Sequence, residues 1–173
     1  MDDKDLVLLI LNGDIEFNKI SEKLYFCAFR KEIYKELHIK DSLLKYENLI
    51  RHLMSIEMEE RSKDIWNDET VYADYYDYEC FYWAIFFIYR LGNVSDVKII
   101  WEAKYIDFDT SLGVDMQWLI GAGVENTISF LEREPDEKSK EILKYIKSCR
   151  DEGHFDDLER WYNYRYQYFL NVE

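Results

Sequence analysis

The stretch Asp74-Tyr-Tyr-Asp-Tyr-Glu-Cys-Phe-Tyr-Trp-Ala-Ile-Phe-Phe-Ile-Tyr-Arg-Leu-Gly-Asn93 decides the fold class of this chain. It begins as a mixture of acids and tyrosines and continues as an unbroken apolar run over residues 80–89. The Gly-Asn pair at its end is a typical C-terminal helix signal, so the sequence predicts one helix over about residues 74–91. Because apolar side chains surround its second half, we expect that half to be central and buried on most sides.

The helical pattern extends along most of the chain, with apolar residues at spacings of three and four. Two such faces precede residue 74, namely Phe26, Phe29, Ile33 and Leu37, and then Leu43, Tyr46, Ile50, Leu53 and Met54. Asp41 or Ser42 is the expected N-cap of the second helix, and Ser95 that of a later one. Further helices are expected over residues 114–120, 124–131, 135–153 and 155–170.

These elements predict an all-α protein, a single domain over residues 1–173 with about seven or eight helices in antiparallel pairs. A HEAT-like α-solenoid is one arrangement of such pairs. The chain has only six glycines and one proline, which disfavours a many-stranded β fold with its frequent turns.

The cysteines and the apolar runs indicate in which cellular compartment the protein is expected. Cys27, Cys80 and Cys149 are far apart and odd in number, so we expect buried free thiols and a reducing, cytoplasmic setting. The N-terminus is acidic where a secretory signal is basic. The longest apolar run, residues 80–89, is about half of the ~20 residues that span a bilayer, so no membrane association is expected.

The charge balance narrows the class of partner. The chain has 22 basic and 36 acidic side chains, a formal net charge of −14. Such a surface repels phosphate backbones, so nucleic acid is not an expected ligand. It attracts a basic protein and raises its encounter rate. Solubility alone is the alternative reason for the charge.

No motif for catalysis, a metal or a cofactor is present, and none of these is expected. The loop over residues 105–115 offers Asp107, Asp109 and Asp115 as oxygen ligands for a cation, but it lacks the spacing of a calcium loop. Helix capping by Asp107, Asp109 and Thr110 is the favoured interpretation. Gly121-Ala-Gly123 favours a close approach between helices over a phosphate cradle, since no Lys or Arg lies near it in sequence.

The candidate partner-binding surface is acidic and aromatic. It is centred on Asp74, Tyr75, Asp77, Tyr78 and Glu79, with a contribution from Asp107 and Asp109. Tyrosine is common at interfaces because it brings a large contact area with little rotamer entropy, and the acids suit a basic partner. In the alternative interpretation these tyrosines are amphipathic helix residues whose rings pack inward.

The segments over residues 99–115 and 117–131 carry a family resemblance, through Trp-Glu-Ala-Lys at 101–104, Phe-Asp-Thr at 108–110 and Gly-Ala-Gly-Val-Glu at 121–125. They resemble small all-helical bacterial proteins that include proposed immunity proteins of polymorphic or contact-dependent toxin systems. The resemblance implies a non-enzymatic protein that binds a cognate toxin, often a basic nuclease. It also implies that the shared Trp101, Phe108, Gly121 and Gly123 hold helix packing.

Three functions follow from the sequence. The first is an immunity protein that neutralises a cognate toxin domain, expected to be a basic nuclease, through the acidic and aromatic surface. The second is a HEAT-like adaptor or scaffold that binds a cellular protein. The third is a hydrolase with an unrecognised carboxylate site. The sequence leaves the oligomeric state open.

Overall fold

The structure, a computed structural model, describes residues 2–63 and 78–171, and these form ten α-helices and no strand. In chain order the helices are α1 (Asp3–Asn12), α2 (Ser21–Leu24), α3 (Cys27–His38), α4 (Glu47–Ser62), α5 (Tyr78–Leu91), α6 (Asp96–Lys104), α7 (Phe108–Gly113), α8 (Val124–Arg133), α9 (Glu137–Asp151) and α10 (Leu158–Leu170). The predicted all-α class is therefore confirmed for the described part of the chain.

The helix boundaries differ from the prediction in specific places. Short helices α1, α2 and α7 were not predicted, and residues 114–120 contain a 3₁₀ helix, Met116–Ile120, in place of an α-helix. The expected cap at Asp41 or Ser42 is wrong, because the 3₁₀ helix Leu44–Tyr46 intervenes before α4 begins. Ser95 does occupy the N-cap position of α6, although its side chain bonds Asn93 and not the helix.

Contacts between Cα atoms divide the chain into two compact units, residues 1–87 and 88–173, with the boundary inside α5. The single domain over residues 1–173 stays a prediction. In the first unit α1 and α2 pack against α3. Its core includes an aromatic cluster in which the Trp83 ring stacks on Tyr34 and Phe87, at centroid distances of 6.0 and 5.5 Å, and meets His38 edge-on at 4.9 Å.

The second half of α5 is buried on most sides, as its apolar composition predicts. Every residue from Cys80 to Ile88 except Tyr82 is at most 1% exposed. The helix ends in Gly92, which has a φ of 69° and takes the left-handed conformation that glycine tolerates best. Cys27, Cys80 and Cys149 are all buried free thiols, as predicted. Among the described residues, no helix combines the length and apolar character that crossing a membrane requires.

A buried ion pair joins α3 to α4 in the first unit. Both side chains, Arg30 and Glu57, have no exposed surface, and Arg30 Nε donates to Glu57 Oε1 at 2.6 Å. The Tyr34 hydroxyl donates to the same carboxylate oxygen at 3.0 Å, and an Arg30 terminal nitrogen donates to the Leu24 carbonyl at 2.9 Å. Burial raises the pKa of Glu57 and the guanidinium offsets part of that rise. The pair thus fixes α2, α3 and α4 together only while all its partners are present.

Removal of one member of this pair should be strongly destabilising. We expect Arg30→Met to lower the free energy of unfolding by about 3 to 5 kcal/mol, because it leaves the Glu57 carboxylate buried without its cation. The triple variant Arg30→Met/Tyr34→Phe/Glu57→Met removes every charge and should be more stable than the single variant. Urea titration measures both. Lys19→Met, which breaks the exposed Lys19–Glu16 pair, is the control and should cost less than about 1 kcal/mol.

The second unit contains α6 to α10. Helices α8 and α9 pack against each other and are linked by an ion pair between Lys147 and Glu132 at 2.7 Å. Helix α6 packs against α7, α9 and the 3₁₀ helix Met116–Ile120. Helix α10 is held by Asp115, whose Oδ2 accepts from Trp161 Nε1 and Arg165 Nε, both at 2.8 Å.

The close approach predicted at Gly121 is confirmed within this unit. A Cβ atom at Gly121 would overlap the Tyr89 carbonyl oxygen and lie 3.1 Å from the Tyr89 carbonyl carbon and Cα. These are backbone atoms of a helix, which cannot rotate away as a side chain can. Gly123 plays a different part, since it is exposed, has a φ of 93° and precedes the first residue of α8.

Substitution at Gly121 tests this contact. We expect Gly121→Ala to lower the free energy of unfolding by more than about 2 kcal/mol, because two packed backbones must separate. Gly92→Ala is the matched control. Its Cβ would meet only the Gly121 carbonyl oxygen at 3.6 Å, so its cost of about 1 kcal/mol comes from the positive φ alone. Equal costs at the two positions, measured by thermal or urea unfolding, would contradict the steric explanation.

Candidate functional site

The predicted acidic and aromatic surface is described only in part. Asp74, Tyr75 and Asp77 lie outside the described residues. Tyr78 and Glu79 begin α5, where Tyr78 is exposed and Glu79 half-buried. The Arg61 guanidinium lies 4.6 Å from the centre of the Tyr78 ring, so a cation of this chain already occupies one ring face. Asp107 and Asp109 fall in the second unit, at α7.

Helix α7 begins with a reciprocal cap. The Asp107 carboxylate accepts a hydrogen bond from the Thr110 backbone N–H at 2.9 Å, and Thr110 Oγ1 accepts one from the Asp107 N–H at 3.1 Å. The capping role predicted for Asp107 and Thr110 is therefore confirmed. Asp109 is not the N-cap residue; it is exposed in the first helical turn, where a negative charge suits the helix dipole.

The other end of α7 is held by a buried lysine. Lys104 Nζ donates to the carbonyl oxygens of Ser111 and Val114, each at 2.6 Å, and burial lowers the pKa of its ammonium group. The Thr110 hydroxyl lies 3.2 Å from the Lys104 carbonyl oxygen and is fully buried. Polar contacts on the inner side of α7 therefore fix this short helix at both ends.

The outer side of α7 is apolar, which inverts the usual arrangement of a surface helix. Phe108 is 76% exposed and Leu112, one helical turn later, is 69% exposed. The expectation that Phe108 holds helix packing is wrong, because its ring points to solvent while Thr110 is buried. We call Tyr105, Phe108, Asp109 and Leu112 the α7 surface.

Aromatic residues continue beside this surface. Tyr105, the residue that ends α6, is 50% exposed, and its ring lies 4.6 Å from the buried Trp101 ring. Trp101 also contacts Tyr145 of α9 edge-on at 5.3 Å. Burial raises the pKa of Tyr145 to about 12, so its phenol stays neutral at physiological pH. Trp101 thus joins the rings of α6 and α9 into one group.

Charged side chains of both signs lie around this aromatic group. Asp109 and Glu141 are exposed, and Glu141 is close enough to Tyr105 to contribute to its raised pKa, after burial. The Lys104 ammonium lies 5.8 Å from the centre of the Tyr105 ring, and its hydrogen bonds go to the Ser111 and Val114 carbonyls at the end of α7. Lys138 is paired with Glu102 at 2.6 Å. An incoming partner would therefore meet negative charge beside exposed apolar groups.

Sequence reasoning identified Asp107 and Asp109 but missed Tyr105, Leu112, Glu141 and Tyr145. A usable signal was present, because Phe108 and Leu112 are four residues apart and follow a capping sequence at Asp107. That signal gives the helix but not its orientation, which depends on the distant contacts of Lys104.

The other residues that the sequence offered for metal binding or catalysis have contacts of a structural kind. In residues 2–63 and 78–171 no cluster of three or more His, Cys, Asp or Glu is arranged to hold a metal ion. Asp115, considered as a cation ligand, binds Trp161 and Arg165. His38 is buried against Trp83, and the exposed His154 lies 3.1 Å from the Glu152 carboxylate.

Comparison with known proteins adds no identification, since the chain matches no family model, no curated protein and no solved structure. The resemblance over residues 99–131 stays a prediction.

Because the polar Thr110 is buried and the apolar Phe108 is exposed, we expect the substitution of Thr110 to destabilise the protein more than that of Phe108. We expect Thr110→Val to cost about 1 to 3 kcal/mol, because it leaves the Asp107 N–H and the Lys104 carbonyl without their partner. Phe108→Ser should change the free energy of unfolding by less than about 0.5 kcal/mol, since the ring is mostly in water. Hydrogen exchange of the α7 amides and urea unfolding measure both effects. A larger cost for Phe108→Ser would mean that the ring is part of the core.

Proposed function

We propose that this chain is a binding protein whose α7 surface, together with its acidic neighbours, holds a basic protein partner. The main support is that Phe108 and Leu112 are exposed on a helix whose position is fixed by polar contacts on its inner side, such as that of Lys104. Large apolar side chains contribute little to folding when they are exposed, whereas buried at the centre of an interface they supply much of the binding energy.

The net charge of −14 supports a basic partner. Long-range attraction raises the encounter rate and orients a positively charged protein before contact. Acidic groups at the rim of the interface then raise the association rate and the specificity. The apolar groups lengthen the lifetime of the complex because they slow its dissociation. The acidic and aromatic stretch Asp74, Tyr75, Asp77, Tyr78 and Glu79, in the first unit, stays a separate predicted contact region for the same class of partner.

Within this class, we propose neutralisation of a cognate toxin in the cytoplasm as the specific function. The support is the sequence resemblance over residues 99–131 to immunity proteins. An immunity protein needs a rigidly presented surface and a tight one-to-one complex, and an anchored helix with exposed apolar side chains suits both needs. A basic nuclease is the toxin type that the charge favours.

A HEAT-like adaptor for a cellular protein is the second candidate. The observation that favours it is the pair α8 and α9, which pack on each other across a short connection, as the helices of such repeats do. The hydrolase hypothesis gains no comparable support. Glu57 has a raised pKa, but it is fully buried against Arg30, out of reach of a substrate.

Co-expression with the product of the neighbouring open reading frame tests the proposed function. We expect a one-to-one complex that survives gel filtration at about 0.15 M salt, and restored growth if the neighbour is toxic. Phe108→Ser/Leu112→Ser should abolish or greatly weaken the complex while the variant stays folded. Asp109→Asn should mainly slow association and reduce its dependence on salt.

Leu44→Ser is the matched control, because Leu44 is also 69% exposed but lies in the first unit. It should leave the complex intact. A neighbour that does not bind, or a complex that is equally sensitive to Leu44→Ser, would overturn the assignment of toxin binding to the α7 surface. A cellular partner in place of the neighbour would favour the adaptor.

A further inference from the structure

The α7 surface carries two kinds of recognition group side by side. Phe108 and Leu112 are apolar and exposed, while Tyr105, three residues before α7, offers a half-exposed ring that packs on the buried Trp101 ring. Such a supported ring keeps its orientation and loses little entropy on binding. The arrangement therefore has an apolar part and a separate aromatic part.

Carboxylates stand next to the aromatic part. Glu141 and Tyr145 are four residues apart on α9 and so share one helix face, and Tyr145 reaches the same Trp101 ring that supports Tyr105. Glu141 forms no ion pair with a described residue, and its charge acts on Tyr105. A tyrosine ring next to a carboxylate is an arrangement that attracts a lysine ammonium or an arginine guanidinium.

We propose that the occupant of the α7 surface is a basic amphipathic segment of the partner protein. Its apolar side chains cover Phe108 and Leu112, and an adjacent Arg or Lys lies against the Tyr105 ring beside Glu141. This inference rests on the proposed function and specifies the chemistry of the segment that binds.

The charge arrangement selects this occupant over an acidic or purely apolar one. Asp109 and Glu141 would repel an acidic segment, and the Lys104 ammonium, 5.8 Å from the centre of the Tyr105 ring, donates to two backbone carbonyls. A purely apolar segment would leave these carboxylates partly desolvated without a cation. An occupant with both apolar and cationic side chains satisfies both parts of the surface.

A set of three synthetic peptides of about two helical heptads tests the inference. The first combines leucine on one face with arginine on the other, the second replaces every arginine with glutamate, and the third replaces every leucine with serine. We expect only the first to bind, with NMR shift changes that centre on Tyr105, Phe108, Leu112, Glu141 and Tyr145. Calorimetry at about 0.15 M salt gives the dissociation constants.

Variants separate the two parts of the surface. Tyr105→Leu and Glu141→Gln should each weaken the first peptide by about tenfold, as expected for loss of a cation–ring or ion-pair contact. Tyr164→Leu and Glu159→Gln are matched controls on α10, since both residues are exposed and the charge change is the same. They should leave its affinity within about twofold. Circular dichroism confirms that each variant is folded.

Several results would overturn the inference. Equal binding of the serine peptide would mean that net charge alone attracts it, and equal binding of the glutamate peptide would mean unspecific apolar adhesion. Equal effects of Tyr105→Leu and Tyr164→Leu would remove the site from Tyr105. If no peptide binds at about 1 mM while the neighbouring gene product does, the proposed function stands and the amphipathic basic occupant is wrong.

Discussion

Each of the two units is organised around a buried cation that needs hydrogen-bond acceptors. Arg30 in the first unit has no exposed surface and reaches a carboxylate and the Leu24 carbonyl. Lys104 in the second unit is buried and reaches the carbonyls of Ser111 and Val114. Because an unsatisfied buried charge costs several kcal/mol, each cation forces the backbone segment that it binds into one position. In the second unit Lys104 and Thr110 fix helix α7 without using its apolar side chains.

This way of holding a helix separates stability from recognition. In an ordinary amphipathic helix the same apolar face that binds a partner would also be the face that packs on the core. In α7 the polar inner contacts carry the folding energy, and Phe108 and Leu112 remain available to another molecule. Under the proposed function, substitutions on the outer face would change partner recognition without loss of the fold.

The sequence predicted the features that depend on local pattern. The apolar faces of α3, α4 and α5 appear as expected, and Gly121 lies at a close approach because only glycine leaves room there. The pairing of Arg30 with Glu57 could not be predicted, since two charged residues 27 positions apart carry no mutual signal in the sequence. For Phe108 the family resemblance implied a packing role, which is wrong, because the deciding contact is the tertiary one from Lys104.

The exposed apolar side chains of α7 also affect how copies of this chain behave toward each other. Two such surfaces would adhere in concentrated solution if nothing opposed them. At a net charge of −14, every pair of molecules repels before the apolar side chains come within reach. The repulsion has a range of about 10 Å at 0.1 M salt and weakens as salt is added. The acidic composition therefore opposes self-association of this chain through its apolar side chains. It leaves the same surface accessible to a positively charged protein.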